Sequence, residues 1–205
     1  MIIFYRIHSE SPNLRKISMM LNETGLPHYV KDIHGQSDGK LADDFMAISP
    51  NGTVPAILDE DTGAIIFESG AILYYLAEKS GYFLPADLKN RSEVMKWLMF
   101  EVSNMGPTMG EIFHYMVKAS DDIADIHMQR YKDKVAQFCV ILDRQLDDRE
   151  YLCGEYSIAD IALYPWHVVL EDMADVNLND YPNLSNWVTA ISNRSAAQPT
   201  AYIQP

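Results

Sequence analysis

Thiols are scarce in this chain: Cys139 and Cys153 are the two cysteines, and no C-x-x-C brings them together. A small secreted domain stapled by disulfides carries a denser set, so the composition points to a reducing compartment. Basic residues are also few. Sixteen Lys and Arg stand against 29 Asp and Glu, a formal charge of -13 that repels nucleic-acid phosphates and anionic lipid. No stripe of Lys and Arg reverses that field locally, which excludes nucleic acid as a partner. No uncharged apolar run approaches the roughly 18 residues of a membrane span, and Met1-Ile-Ile-Phe-Tyr-Arg6 is too short for a signal peptide. The expectation is a soluble, cytoplasmic protein without a membrane partner. The six histidines form no H-x-x-x-H and no His/Cys cluster, so no metal is expected.

What is present is an ordinary globular mixture, 48% hydrophobic, 22% charged and 11% aromatic over 205 residues, enough for one large or two small domains. Ile2 to Ile7 reads as a strand, Leu14 to Thr24 as a helix ended by Gly25, and His28 to Ile33 as a second strand after Pro27. A polar loop follows from Gly35 to Gly39. Leu41 to Ile48 then suits a short helix before the turn Ser49-Pro50-Asn51-Gly52. Pro55 to Leu58 and Ala64 to Phe67 read as strands around the turn Asp59 to Gly63, and Ser69 reads as the cap of a helix ending near Gly81. The order β-α-β, α, β-β-α predicts an α/β thioredoxin-like domain with a mixed four-stranded sheet over residues 1–81.

A linker is placed at 82–90 and an all-α domain at 91–205. Its first long helix carries Val94, Trp97, Leu98, Val102 and Met105 on one stripe and meets Gly106-Pro107, which is expected to kink it. Tyr131, Val135, Phe138, Leu142 and Leu146 mark a buried face that also holds Cys139, read as a structural thiol. Ser157-Ile-Ala-Asp160 is a capping box variant before a buried helix, and Tyr181-Pro182 starts a last helix bearing Leu184, Trp187, Val188 and Ile191.

Three ordered segments then resemble the cytosolic glutathione transferase superfamily: Ser49-Pro-Asn-Gly-Thr-Val-Pro-Ala-Ile57, Phe67-Glu-Ser-Gly-Ala-Ile-Leu-Tyr-Tyr-Leu-Ala-Glu78 and Tyr156-Ser-Ile-Ala-Asp-Ile-Ala162. Ser11-Pro-Asn13, the stretch from Trp97 to Gly110 and Gln129-Arg-Tyr131 look most like the bacterial nu class and its disulfide-reductase relatives. The resemblance implies glutathione as cosubstrate, a homodimer, and a small electrophile or disulfide as second substrate.

It also implies roles for residues. Pro55 is expected cis, turning the backbone of Val54 outward to pair with the cysteinyl part of glutathione, a strand addition by a tripeptide. Glu68 and Ser69 are expected at a helix start, where free N–H groups and the dipole hold the γ-glutamyl carboxylate while the Glu68 side chain takes the ammonium. Ser11 and Asn13 are the expected catalytic pair, stabilising the thiolate at the start of the first helix. Lys40 is the candidate cation for the glycyl carboxylate, and Arg130 is expected to reach the glutathione of the neighbouring subunit. Met105, Met109, Phe113 and Tyr115 are the candidates for the second-substrate pocket. Thr53 departs from the Lys or Arg common before Val-Pro, and Arg194-Ser195 from the Arg-Pro common near the C-terminus. Disulfide reduction is the leading expectation. Conjugation to hydrophobic electrophiles and a non-catalytic binding or regulatory module are the alternatives.

Overall fold

The computed structural model describes residues 1–9, 11–33, 43–118 and 122–198. It divides into two compact units, Met1–Leu84 together with the C-terminal residues from Ser195 onward, and Pro85–Arg194.

In the first unit, β1 (Ile2–Arg6), α1 (Pro12–Thr24) and β2 (His28–Asp32) form the expected β-α-β crossover, with β1 and β2 parallel. Gly25 stops α1 at φ 64°, a left-handed conformation that lets its N–H cap the carbonyl of Leu21. The short helix α2 is Asp43–Met46; the expected start at Leu41 lies outside the described residues, as does Lys40. β3 (Ala56–Asp59) pairs antiparallel with β1 and with β4 (Ala64–Phe67), giving the sheet order β2-β1-β3-β4. The helix α3 (Ser69–Ser80) follows at once and ends at Gly81.

Hydrophobic periodicity explains the packing. Ile2, Phe4 and Ile57 of the sheet and Leu14, Ile17, Leu21, Ile72 and Leu76 of α1 and α3 are all essentially without exposed surface. Tyr5, Phe45 and Ala56 form a second cluster against which Ile3, Ile33, Ile48, Val54 and Leu58 pack. Tyr5 is therefore a core residue, its ring 5.9 Å from that of Phe45.

At the hairpin, the Asp59 side chain has no exposed surface and accepts from the Tyr75 hydroxyl at 2.5 Å and the Asp61 N–H at 3.0 Å, with the Lys79 ammonium at 2.8 Å. Burial pushes this carboxyl up, but those donors outweigh it and hold it near 2, below the ordinary 3.8.

The second unit opens with α4 (Leu88–Phe100), so the linker ends earlier than residue 90; Asp87 caps α4 by accepting from the Asn90 N–H at 3.0 Å. The expected kink is a π-helical turn, Glu101–Met105, running into α5 (Gly106–Lys118). Val102 is 41% exposed and leaves the stripe, its inward place taken by Glu101 at 2%. The Glu101 carboxylate accepts from the Trp166 indole N–H at 2.8 Å. Gly106 is small for a reason: a Cβ there would lie 2.8 Å from that same carboxylate oxygen. Its N–H bonds the Glu101 carbonyl, the wide turn that precedes Pro107.

Helix α6 (Asp122–Gln145) buries Val135, Cys139 and Leu142, and Leu146 is buried just past its end, as the spacing predicts. Burial and nearby Asp143 push the Cys139 thiol up to about 12. The capping box opens α7 (Ile158–His167), followed by α8 (Leu170–Ala174) and α9 (Pro182–Ser192). Asp160 is fully buried, and its two carboxylate oxygens accept from the N–H of Leu152 and Ser157, the Ser157 hydroxyl and the Trp187 indole, at 2.8 to 3.1 Å.

The expected helical domain reached residue 205, yet the turn Ser195–Ala197 groups with the first unit. Ala196 and Ala197 are buried, and the Arg15 guanidinium donates to the Ala197 carbonyl at 3.0 Å.

Asp160→Ala is expected to remove about 3 kcal/mol of stability in urea denaturation, because it strands buried N–H donors. The Asp59 group stabilises fully above its ordinary pKa of 3.8 and loses that contribution as pH falls towards 2, so acid unfolding between those values is expected to flatten in Asp59→Asn.

Candidate functional site

The first two strands and helices bring Ser11 and Asn13 to the start of α1. Ser11 occupies the N-cap position with extended backbone, φ -51° and ψ 131°, and Pro12 sits at N1. Its hydroxyl does not cap the helix, which leaves that oxygen available to a ligand.

The Val54–Pro55 peptide is cis. The loop before it is held from inside: the buried Ser49 hydroxyl donates to the Thr53 carbonyl at 2.8 Å, and Gly52 turns the chain at φ 65°. Thr53 thus contributes its carbonyl to the loop, while its side chain is exposed. Among the described residues, neither the N–H nor the C=O of Val54 has a hydrogen-bond partner. This is an open backbone edge of the kind an extended peptide pairs with.

At α3 the expected cap is corrected. Glu68 holds the N-cap position and Ser69 is the first helical residue, because the chain turns at Glu68 with φ 70° and ψ 119°. A side chain at positive φ stores strain of about 1–3 kcal/mol. Glu68 does not cap its own helix, so the first-turn N–H groups point outward with a partial positive charge, and the exposed Glu68 carboxylate lies beside them. An α-amino acid group has the matching pair of charges.

These segments meet. The Ser69 hydroxyl donates to Asn13 Oδ1 at 3.3 Å, so the first turns of α1 and α3 are joined. A residue that the sequence reading passed over completes the contact: Lys16, with no exposed surface, donates to Asn13 Oδ1 at 2.7 Å and to Ser69 Oγ at 3.4 Å. Its signal was a lysine three residues after Asn13 amid the buried Leu14, Ile17 and Met20.

Met105, Met109, Phe113, Tyr115 and Arg130 belong to the second unit. Met105, the last residue of the π turn, and Met109, on α5, have no exposed surface and are core residues; Phe113 is 59% exposed and Tyr115 half-buried, stacked on His127 and Tyr131. Arg130 is exposed on α6. Burial pushes the Cys153 thiol, like Cys139, up to about 12, so neither is poised as a nucleophile. Among the described residues no group of His, Cys, Asp and Glu could hold a metal, and no helix is long and apolar enough to cross a membrane.

Residues 10–79 match the glutathione S-transferase N-terminal domain, and residues 107–195 match the glutathione S-transferase C-terminal domain. The chain belongs to the glutathione S-transferase family. It is 36% identical over 192 residues to the disulfide-bond oxidoreductase YfcG of Escherichia coli (strain K12), covering 91% of this chain and 88% of that one. A glutathione transferase family member from Pseudomonas fluorescens, solved with two glutathiones bound, superposes with a TM-score of 0.89 at 31% identity, over 100% of this chain and 93% of that one. A glutathione transferase from Pseudomonas putida, solved with one glutathione disulfide per subunit, gives 0.88 at 32%, over 100% and 91%. In this transferase the cis peptide, the strained Glu68 and the α1–α3 contact all lie in the N-terminal unit.

Glu68→Gly is expected to leave the urea midpoint unchanged or raised, since the strain at φ 70° disappears with the Cβ. Glu68→Val is expected to lower stability by about 1–3 kcal/mol in the same measurement.

Proposed function

We propose that this transferase reduces disulfides with the thiolate of bound glutathione. The observation that carries the reading is the contact of Ser69 with Asn13, which brings a carboxylate-binding helix start beside a thiolate-stabilising loop within the reach of one tripeptide. Val54 offers the backbone edge between them, and Glu68 the carboxylate for the α-ammonium. The glycyl carboxylate is assigned to Lys40 on the resemblance alone.

Ser11 and Asn13 lower the pKa of the bound thiol by donating to its ionised sulfur, raising the nucleophile fraction at neutral pH. The glutathione thiolate attacks one sulfur of the substrate disulfide, forming a mixed disulfide and expelling the other sulfur as a thiolate. A second glutathione thiolate attacks the glutathione sulfur of the mixed disulfide and releases the remaining substrate thiolate. Two glutathiones are oxidised to one glutathione disulfide, and the substrate disulfide is reduced to two thiols. No cysteine of the chain takes part, consistent with the raised pKa values of Cys139 and Cys153. The two glutathiones of the Pseudomonas fluorescens relative and the glutathione disulfide of the Pseudomonas putida relative support reduction over conjugation.

Conjugation to an apolar electrophile is the second reading, favoured by the exposed Phe113. Phe113 and Tyr115 are the helical unit's candidates for second-substrate contact under either chemistry. We assign a homodimer in which Arg130 of the partner subunit reaches glutathione, and a cytoplasmic location, where thiols stay reduced. Light scattering is expected to return a dimeric mass; a monomer at micromolar concentration would remove that role of Arg130.

A paired steady-state assay with glutathione, one arm with a small disulfide and the other with an aryl halide, separates the chemistries. Strong disulfide turnover with weak conjugation is expected; the reverse ratio assigns a conjugating transferase, and turnover in neither arm points to a binding module. Asn13→Ala is expected to cut kcat by about 10- to 100-fold with glutathione affinity changed far less. Glu68→Ala is expected instead to weaken glutathione binding about tenfold or more in calorimetric titration.

A further inference from the structure

We propose that Lys16 is a positioning residue, whose buried ammonium fixes the side-chain amide of Asn13 so that only its N–H groups face the bound sulfur. This rests on the reading of Asn13 as a thiolate donor. A lysine ammonium donates and never accepts, so the atom of Asn13 that it meets at 2.7 Å must be the oxygen. The Ser69 hydroxyl donates to the same oxygen at 3.3 Å. Both lone pairs of Oδ1 are thereby used, and an amide flip would set Nδ2 against a buried cation. Among the described residues nothing accepts from Nδ2. The hydrogen-bonding capacity left on Asn13 is two donors, which suit an ionised sulfur and not a thiol that must itself donate.

The ammonium also donates to Ser69 Oγ at 3.4 Å, so one buried charge orients a group for sulfur and the residue whose backbone N–H opens α3. The sulfur and γ-glutamyl ends of the site are coupled through it. Without Lys16 the Asn13 amide is free to rotate, and either face can meet the ligand.

The test is the ultraviolet thiolate absorbance of glutathione bound to the full-length protein, titrated against pH. In the unaltered protein the bound thiol is expected below its free pKa of about 8.5. Lys16→Met is expected to raise the bound value by about one unit and lower kcat about tenfold, with the KM for glutathione changed much less. Asn13→Ala is expected to raise it as well, and the double variant to go no further than Asn13→Ala alone. A Lys16→Met protein with unchanged thiol pKa, or effects that add in full, would overturn the proposal. Absence of a bound thiolate in the unaltered protein would overturn the functional reading and this role together. If Lys16→Met does not fold, the unaltered protein decides. The Asn13 side-chain amide resonances, assigned by their loss in Asn13→Asp, are expected to shift with the midpoint of the bound thiol, and resonances indifferent to that titration would overturn the proposal.

Discussion

A lysine ammonium taken out of water must be surrounded by oxygen, and at Lys16 two of those oxygens belong to the first turns of different helices. Asn13 cannot leave α1's first turn, nor Ser69 that of α3, without taking an oxygen away from a buried charge. The same contact sets the spacing between two outward-facing helix starts. Each has its own demand on a ligand: α3 offers unpaired N–H groups and a neighbouring carboxylate, and α1 offers an uncommitted hydroxyl and an amide with only donors left. Among the described residues the Val54 backbone, before the cis peptide, also has no partner. In the proposed reading, the thiolate, the cysteinyl backbone and the γ-glutamyl head of glutathione each meet one of these features.

The helical unit is organised by buried carboxylates rather than by apolar stripes alone. Asp160 gathers the start of α7, the loop at Leu152 and the indole of Trp187, and Glu101 binds the indole of Trp166 across the π turn. Burial pushes the Asp160 carboxyl up, and the donors around it offset that cost. Gly106 belongs to the same arrangement, since the space a side chain needs there is filled by the Glu101 carboxylate.

The strands, the two glycine-stopped helices and the capping box were legible because local chemistry decides them: apolar alternation, left-handed glycine, and Ser with Asp three residues on. The resemblance picked out Ser11, Asn13, Val54, Pro55, Glu68 and Ser69 as candidates, and of what it implied the cis Pro55 and the place of Glu68 and Ser69 at a helix start are in the structure. Lys16 was not legible, because a lysine in a helical pattern reads as solvated until its ammonium has acceptors. Val102 was placed inside for the same reason, hydrophobicity standing in for burial, whereas Glu101 is the buried neighbour because a tryptophan 65 residues away supplies its partner. Met105 and Met109 suited a pocket and a core equally by composition, and the π turn and α5 bury both.

By itself, then, the sequence determined the α/β and helical halves, the order of their elements, the scarcity of reactive thiols and the field of an acidic surface, all properties of near neighbours or of summed composition. Tertiary structure decided which polar groups are buried together, that Glu68 and not Ser69 occupies the cap position, that the last turn joins the first unit, and that Asn13 offers donors alone. Those depend on atoms distant along the chain that compete for the same lone pairs, and a hydrogen bond has no direction until both of its ends have a place.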